Sequence, residues 1–243
     1  MKYLISFLLI VLLFLNCKKN KDNNADCRLK QTSYYNGTAL TNSLKYEYDD
    51  LGRIKTITDA DLNATTTYNY FPDSVVAISS KYKQVYFLKN GLADSSSLIW
   101  FNPPSNFKYF YKYYHNAEGY VVSEREIFSR VQNGNTIVDT LSSTYTISNG
   151  NLVKAVQSPS GDEISFEYST ELRPPNNQDL PNSFKFPFLG KPSKNLPNKT
   201  LMNGGLLYIM TYEHDINENI SKFIAAYASP GPTYSIQYVY TCN

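Results

Sequence analysis

Few residues in this chain combine the types and spacings that chemistry needs. His115 and His214 sit at equivalent turn positions of two similar segments. A zinc centre would need a third and a fourth ligand, and the sequence names none. Asp59, Asp61 and Asn63 match the first three spacings of a calcium loop. The sixth position is Ala64 instead of Gly and the twelfth is Tyr70 instead of Glu, so no metal is expected. Glu124 and Glu126 share one strand face with Arg125 between them. Paired carboxylates of this kind serve glycoside hydrolysis, but the charged outer face of a strand looks the same. No Gly-x-Ser-x-Gly, Gly-rich phosphate loop or His-Glu-x-x-His is present. The expectation is a protein without cofactor or enzymatic activity. Trp100 and Phe101, followed by Asn102-Pro103-Pro104, form a candidate platform for stacking sugar rings. Aromatic residues facing a core are the alternative source of the same pattern.

Strands must position these residues. Tyr accounts for 22 of 243 residues, and hydrophobic residues make up 42% against 18% charged, enough for a packed core. Residues 107–114 alternate, with Phe107, Tyr109, Tyr111 and Tyr113 on one face and Lys108 and Lys112 on the other. Near the C-terminus, Tyr234, Ile236, Tyr238, Tyr240 and Cys242 repeat that period of two. Turn signals such as Asn90-Gly91, Asn133-Gly134 and Asn149-Gly150 separate the runs, which predicts antiparallel hairpins. The predicted fold is an all-β antiparallel meander of hairpins in a large twisted sheet, curled into an open barrel-like or sandwich form. Residues 171–205 hold six of the twelve prolines. They are expected to form a crossover, with a short helix near Phe184–Leu189 whose aromatics dock as a cover or act as a lid.

The N-terminus carries an address. Lys2 precedes an uncharged apolar run, Leu4–Leu15, too short to span a bilayer. Asn16 and Cys17 follow, then a polar stretch to residue 26. This resembles a bacterial lipoprotein signal, which implies a signal peptide over residues 1–16, lipidation of Cys17, a tether over 17–26 and one domain over 27–243. A plain secreted protein is the alternative. Cys27 and Cys242 are then an even pair at the two ends of an exported domain, which reads as a disulfide; two free thiols are the alternative. A net charge of +2 excludes a strongly basic nucleic-acid binder.

A loose repeat runs through the strands. Tyr46-Glu47-Tyr48-Asp49-Asp50-Leu51-Gly52-Arg53-Ile54 is its clearest copy, and Tyr212 to Ile220 matches it with Glu218 in place of the Gly. Tyr113 to Val121 and Tyr145 to Leu152 are looser copies. The unit resembles the YD repeat of RHS-type proteins. With the signal and the late Lys191-Pro192-Ser193-Lys194-Asn195-Leu196 stretch, the chain resembles the Bacteroidetes lipoproteins of the DUF4595 family. That resemblance implies a fold and a cell-envelope location, with the outer membrane as the expected site and its face left open. It implies no activity. Asp73-Ser74-Val75 and Asp139-Thr140-Leu141 are similar to O-glycosylation sites of exported Bacteroidetes proteins, with Ser74 and Thr140 as acceptors. The expected role is a non-enzymatic envelope lipoprotein, structural or binding a protein partner and held to the membrane by its lipid. A glycan-binding lipoprotein is the second reading and an envelope hydrolase the third.

Overall fold

The computed structural model describes residues 27–101, 107–132, 135–174, 186–228 and 231–242. They form β1 (Cys27–Asn36), β2 (Ala39–Tyr48), β3 (Ile54–Asp59), β4 (Ala64–Tyr70), β5 (Ser74–Ile78), β6 (Tyr82–Lys89), β7 (Leu92–Trp100), β8 (Lys108–His115), β9 (Val121–Gln132), β10 (Asn135–Ser148), β11 (Asn151–Ser158), β12 (Glu163–Leu172), β13 (Asn195–Met202), β14 (Gly205–His214), β15 (Ile220–Tyr227) and β16 (Tyr234–Cys242). Each strand pairs antiparallel with the next, and β16 pairs with β1, so the meander closes into a barrel. The sheet is therefore closed, where the sequence left an open barrel or a sandwich as the options. Closure removes both free edges, the natural remedy for a sheet of this width.

Antiparallel alternation sorts the turns. Those that follow even-numbered strands share one end of the barrel with Cys27 and Cys242; we term it the proximal end. Three of them have one geometry. Asp49 Oδ1 accepts the N–H groups of Leu51 and Arg53. Asn116 Oδ1 accepts those of Glu118 and Tyr120, and Asp215 Oδ1 those of Asn217 and Asn219. The side chain thus replaces strand partners that the bend removes, as Asx turns do. Gly52 and Gly119 take positive φ at the fourth position, and Glu218 adopts φ 64° there without glycine's freedom.

Tyrosine hydroxyls knit the same end. Tyr48 donates to the Leu29 carbonyl, Tyr70 to Ile54, Tyr168 to Leu152, Tyr212 to Pro197 and Tyr240 to Ile220. In each case the tyrosine lies on an even strand and the acceptor on the strand before it. Ladder irregularities precede several of these turns, as between Glu47 and Tyr48 and between Glu167 and Tyr168. Each acceptor carbonyl lies two residues beyond the last register pair between its strand and the tyrosine's, as Leu29 lies beyond Gln31–Lys45 and Pro197 beyond Lys199–Ile209, and the phenol supplies the missing donor.

The pleat assigns the faces. In β4, Ala64, Thr66 and Tyr68 are buried while Thr65, Thr67 and Asn69 are exposed. The interior is mainly apolar, built on Leu29, Leu44, Tyr46, Ile57, Val75, Leu196, Ile220, Phe223 and Tyr238. Outward positions carry Lys30, Lys45, Glu47, Lys55, Lys83 and Arg125, all exposed. Directly opposed outer pairs such as Glu167–Lys199 and Glu213–Lys222 form ion pairs.

The proline-rich region is shorter than expected and is not a crossover. β12 and β13 are neighbours, and the connection runs from Arg173 to Lys194. Pro197 lies within β13, opposite Tyr168, where the ladder is irregular and a missing N–H is tolerated. Residues 175–185, including Phe184, lie outside the described residues. The expected short helix is a 3-10 turn, Pro187–Leu189. Ahead of it, Phe186 is buried in the barrel, 4.9 Å from the Tyr68 ring and 6.4 Å from the Tyr86 ring. The backbone N–H groups of Lys191 and Lys194 bond to the carbonyls of Gly119 and Gly150, which fixes the connection across the proximal turns. Ser193 is buried beneath it, and its hydroxyl accepts the Leu152 N–H.

Candidate functional site

At the proximal end, three turns and the plugging segment enclose a pocket of about 430 Å³. The β2–β3 turn contributes Tyr48, Gly52, Arg53 and Ile54. The β4–β5 turn contributes Tyr70, Phe71 and Val75, and the β6–β7 turn Leu88 and Gly91. Phe186, Pro187 and Phe188 close the remaining side. The Asx geometry of Asp49 brings Arg53 round to the mouth. Arg53 Nε and Nη2 bond to Asp49 Oδ2 at 2.8 and 2.7 Å, and the guanidinium carbon lies 4.3 Å from the Tyr70 ring centre. The hydrogen bond from Arg53 holds the Asp49 carboxyl below the usual range. Burial pushes the Tyr70 phenol up to about 12, against the opposing pull of Arg53. A second hollow of about 290 Å³ lies beside it across Tyr48, lined by Arg28, Leu29, Lys30, Tyr46, Tyr48 and Thr241.

The residues singled out from sequence are scattered. Cys27 and Cys242 form a disulfide, are register partners across the β1–β16 seam, and have Cα atoms 3.9 Å apart. Cys17 and the tether lie outside the described residues. Trp100 faces the interior near the distal end, its ring 5.2 Å from that of Tyr82, whose hydroxyl meets the buried Thr66. Phe101 is 50% exposed, and the adjoining residues 102–106 lie outside the described residues. Ser74 is half-buried beside Asp73, with its hydroxyl donating to Asp73 Oδ1 at 3.2 Å. Thr140 is exposed on β10, on the stretch that pairs with β9 but not with β11.

His115 and His214 stand on different strands with separate duties. One ring meets the Leu189 carbonyl, and the other pairs with Glu171 at 2.7 Å. Asp59 accepts the Leu62 N–H within the β3–β4 turn. Among the described residues, no three His, Cys, Asp or Glu side chains converge as a metal centre would require.

Glu124 and Glu126 do share a strand face, and it is the inner one. Their register partners are Tyr113 and Tyr111, and Tyr113 meets the hydroxyl of the fully buried Ser96. Tyr109, Tyr111 and Tyr113 form a near-parallel tier on the neighbouring strand, with ring centres 6.2 and 6.3 Å apart. Burial pushes the Glu124 carboxyl up, and the neighbouring Glu126 adds to the effect. Burial also raises Glu126. Neither residue lines the proximal pocket. Arg53 and Tyr70 were not singled out from sequence. The signal available for them is that both flank turns which an antiparallel meander must bring to one end.

No protein-family model matches the chain, and no curated protein is similar to it at a significant level. Solved structures are similar. A porin-like protein from Bacteroides vulgatus has a TM-score of 0.62 and 18% identity over 89% of this chain and 99% of its own. A porin-like protein from Bacteroides uniformis has a TM-score of 0.63 and 16% identity, covering 88% of this chain and 98% of its own. At such low identity the likeness concerns the fold.

Proposed function

We propose that this chain is a non-enzymatic, lipid-anchored protein of the bacterial cell envelope whose barrel is a ligand-binding scaffold. The observation that carries this reading is the polarity of the wall. A membrane-spanning barrel turns an apolar band outward and a polar lining inward. Here Lys45, Glu47, Lys55, Lys83 and Arg125 face outward, and the interior around β1–β6 and β13–β16 holds Leu44, Ile57, Val75 and Phe223; over β8–β10 the contrast is weaker, with Phe110 and Val138 exposed and Glu124 turned inward. A lysine or arginine facing lipid at mid-depth costs about 2–4 kcal/mol. The strands argue the same way. β5 has 5 residues and β3 has 6, short of the roughly 9–11 that a spanning strand needs, although β9 with 12 and β10 with 14 would reach, so the ring is of uneven height. Phe186 also inserts into the proximal end, and residues 187–194 are bonded across its β8–β9 and β10–β11 turns.

The lipoprotein-like start supports anchorage through Cys17. The nine residues between Cys17 and Cys27 reach about 30 Å when extended. They would keep the proximal end, with its pocket, close to the bilayer. The porin-like neighbours from Bacteroides and the DUF4595 resemblance support an envelope location. Two measurements test the reading. Cys17→Ser should move the protein out of the membrane fraction or leave it as uncleaved precursor; normal processing with full membrane retention contradicts the anchor. Purified mature protein added to planar bilayers should give no unitary conductance steps. Discrete, reproducible steps would overturn the scaffold reading.

A further inference from the structure

We propose that the proximal pocket binds an anionic amphiphile: an apolar body of small-molecule size with one carboxylate head, held by Arg53. The proposal rests on the scaffold reading and gives its site a ligand class. Among the twelve residues that line the pocket, Arg53 is the only charged one. Both wall tyrosines have committed their hydroxyl protons, Tyr48 to the Leu29 carbonyl and Tyr70 to the Ile54 carbonyl. The charged inventory of the lining is therefore one guanidinium above a floor of Ile54, Val75, Leu88, Phe186 and Phe188, with the Arg28 guanidinium just outside it, packed against Gly52 and 5.8 Å from the Tyr48 ring centre. An uncharged sugar needs several convergent polar partners, and this wall does not supply them. An apolar body needs none, and about 430 Å³ lies within the usual size range of small-molecule sites.

Arg53 is positioned without being saturated. Its Nε and Nη2 go to Asp49 Oδ2 and its plane lies over Tyr70. Asp49 Oδ1 is engaged by the N–H groups of Leu51 and Arg53, so the carboxylate belongs to the turn and orients the arginine. Nη1 has no protein partner among the described residues, and the side chain is 44% exposed at the mouth. A guanidinium held in place with donors to spare is suited to a carboxylate, and its fixed geometry lowers the entropy cost of each bond formed.

Residues 27–242 close on themselves through the β1–β16 pair, so the chain lacking residues 1–17 keeps both neighbours of every strand. Calorimetric titration of that protein with octanoate and with octanol tests the proposal. Octanoate should bind at least tenfold more tightly than octanol. Arg53→Gln, which keeps a donor toward Asp49, should weaken octanoate binding at least tenfold and leave octanol unchanged. Leu88→Trp, which fills the floor, should abolish binding of both, with circular dichroism confirming the fold. If Arg53→Gln does not fold, the octanoate-to-octanol ratio and Leu88→Trp decide. Equal affinity for the two probes, no effect of a folded Arg53→Gln, or no octanoate binding would overturn the proposal. A barrel that neither conducts nor binds octanoate would keep the scaffold reading and reject this one.

Discussion

The Tyr212 hydroxyl donates to the Pro197 carbonyl at 2.7 Å, one strand back around the ring. Four other tyrosines make the equivalent bond at the proximal end. In Tyr46-Glu47-Tyr48, Tyr68-Asn69-Tyr70 and Tyr238-Val239-Tyr240 this gives a Tyr-x-Tyr pair a structural task, while Phe166 and Met210 take the first place in the other two strands. The inner residue of each pair packs or points inward, and the last one before the turn secures a carbonyl that the ladder leaves short.

Tyr212→Phe should therefore lower stability by about 1 kcal/mol, the usual net worth of such a bond. The change is nearly isosteric, so little of the loss comes from packing. Urea denaturation of wild type and variant checks it. A loss indistinguishable from zero would mean that water serves the Pro197 carbonyl equally well.

Glu218 occupies the position that Gly52 and Gly119 hold in the matching turns, at φ 64°. A left-handed conformation costs a side-chain-bearing residue roughly 1–2 kcal/mol, partly offset by glycine's greater freedom when unfolded. Glu218→Gly should raise the melting temperature by a few degrees, read by differential scanning calorimetry. A decrease would show that the Glu218 side chain contributes contacts larger than the strain.

Glu124 faces the interior, and its carboxyl is pushed up by burial and by Glu126. An acid whose folded pKa lies above its unfolded value costs nothing at low pH. It destabilises the fold as pH rises through the folded value, because the unfolded chain ionises more readily. Glu124→Gln should accordingly stabilise the barrel at pH 7–8, by about 2–4 °C for a change near 1 kcal/mol. That advantage should vanish near pH 4. An advantage independent of pH would assign the effect to packing.

Reduction of the Cys27–Cys242 bond, or Cys242→Ser, should lower stability. The loop it closes spans 215 residues, for which the chain-entropy model gives about 5 kcal/mol as an upper bound and mutagenesis typically about 2–4 kcal/mol. Thermal melts with and without reductant measure it. An unchanged melt would mean that β1 and β16 hold the seam without covalent help.

Much of this architecture was legible because strand alternation and Asx turns are local. Asp49, Asn116 and Asp215 build the turns that their motifs imply, and the Cys pair at the chain ends joins strands that a meander can bring together only by closing. Closure itself was not legible. It depends on the β1–β16 register, which links residues more than two hundred positions apart. The inward aim of Glu124 and Glu126 was hidden for a related reason: period two says that they share a face, and only the closed ring says which face is inside. β13 is not legible in the Pro-rich 171–205 stretch because Pro197 interrupts its pattern, a proline tolerated where the opposing strand is irregular. The pocket was the least legible, since Arg53, Tyr70, Leu88 and Phe186 come from four separate stretches of chain.

The seam bond also changes what kind of object the polypeptide is. With Cys27 joined to Cys242, the barrel segment is covalently a circle. A single protease cut in any surface turn would open that circle into a line without releasing a fragment. The nicked molecule would still have two neighbours for every strand and would come apart only after reduction. Each turn is thus a potential pair of new termini, and the distal ones lie farthest from the disulfide.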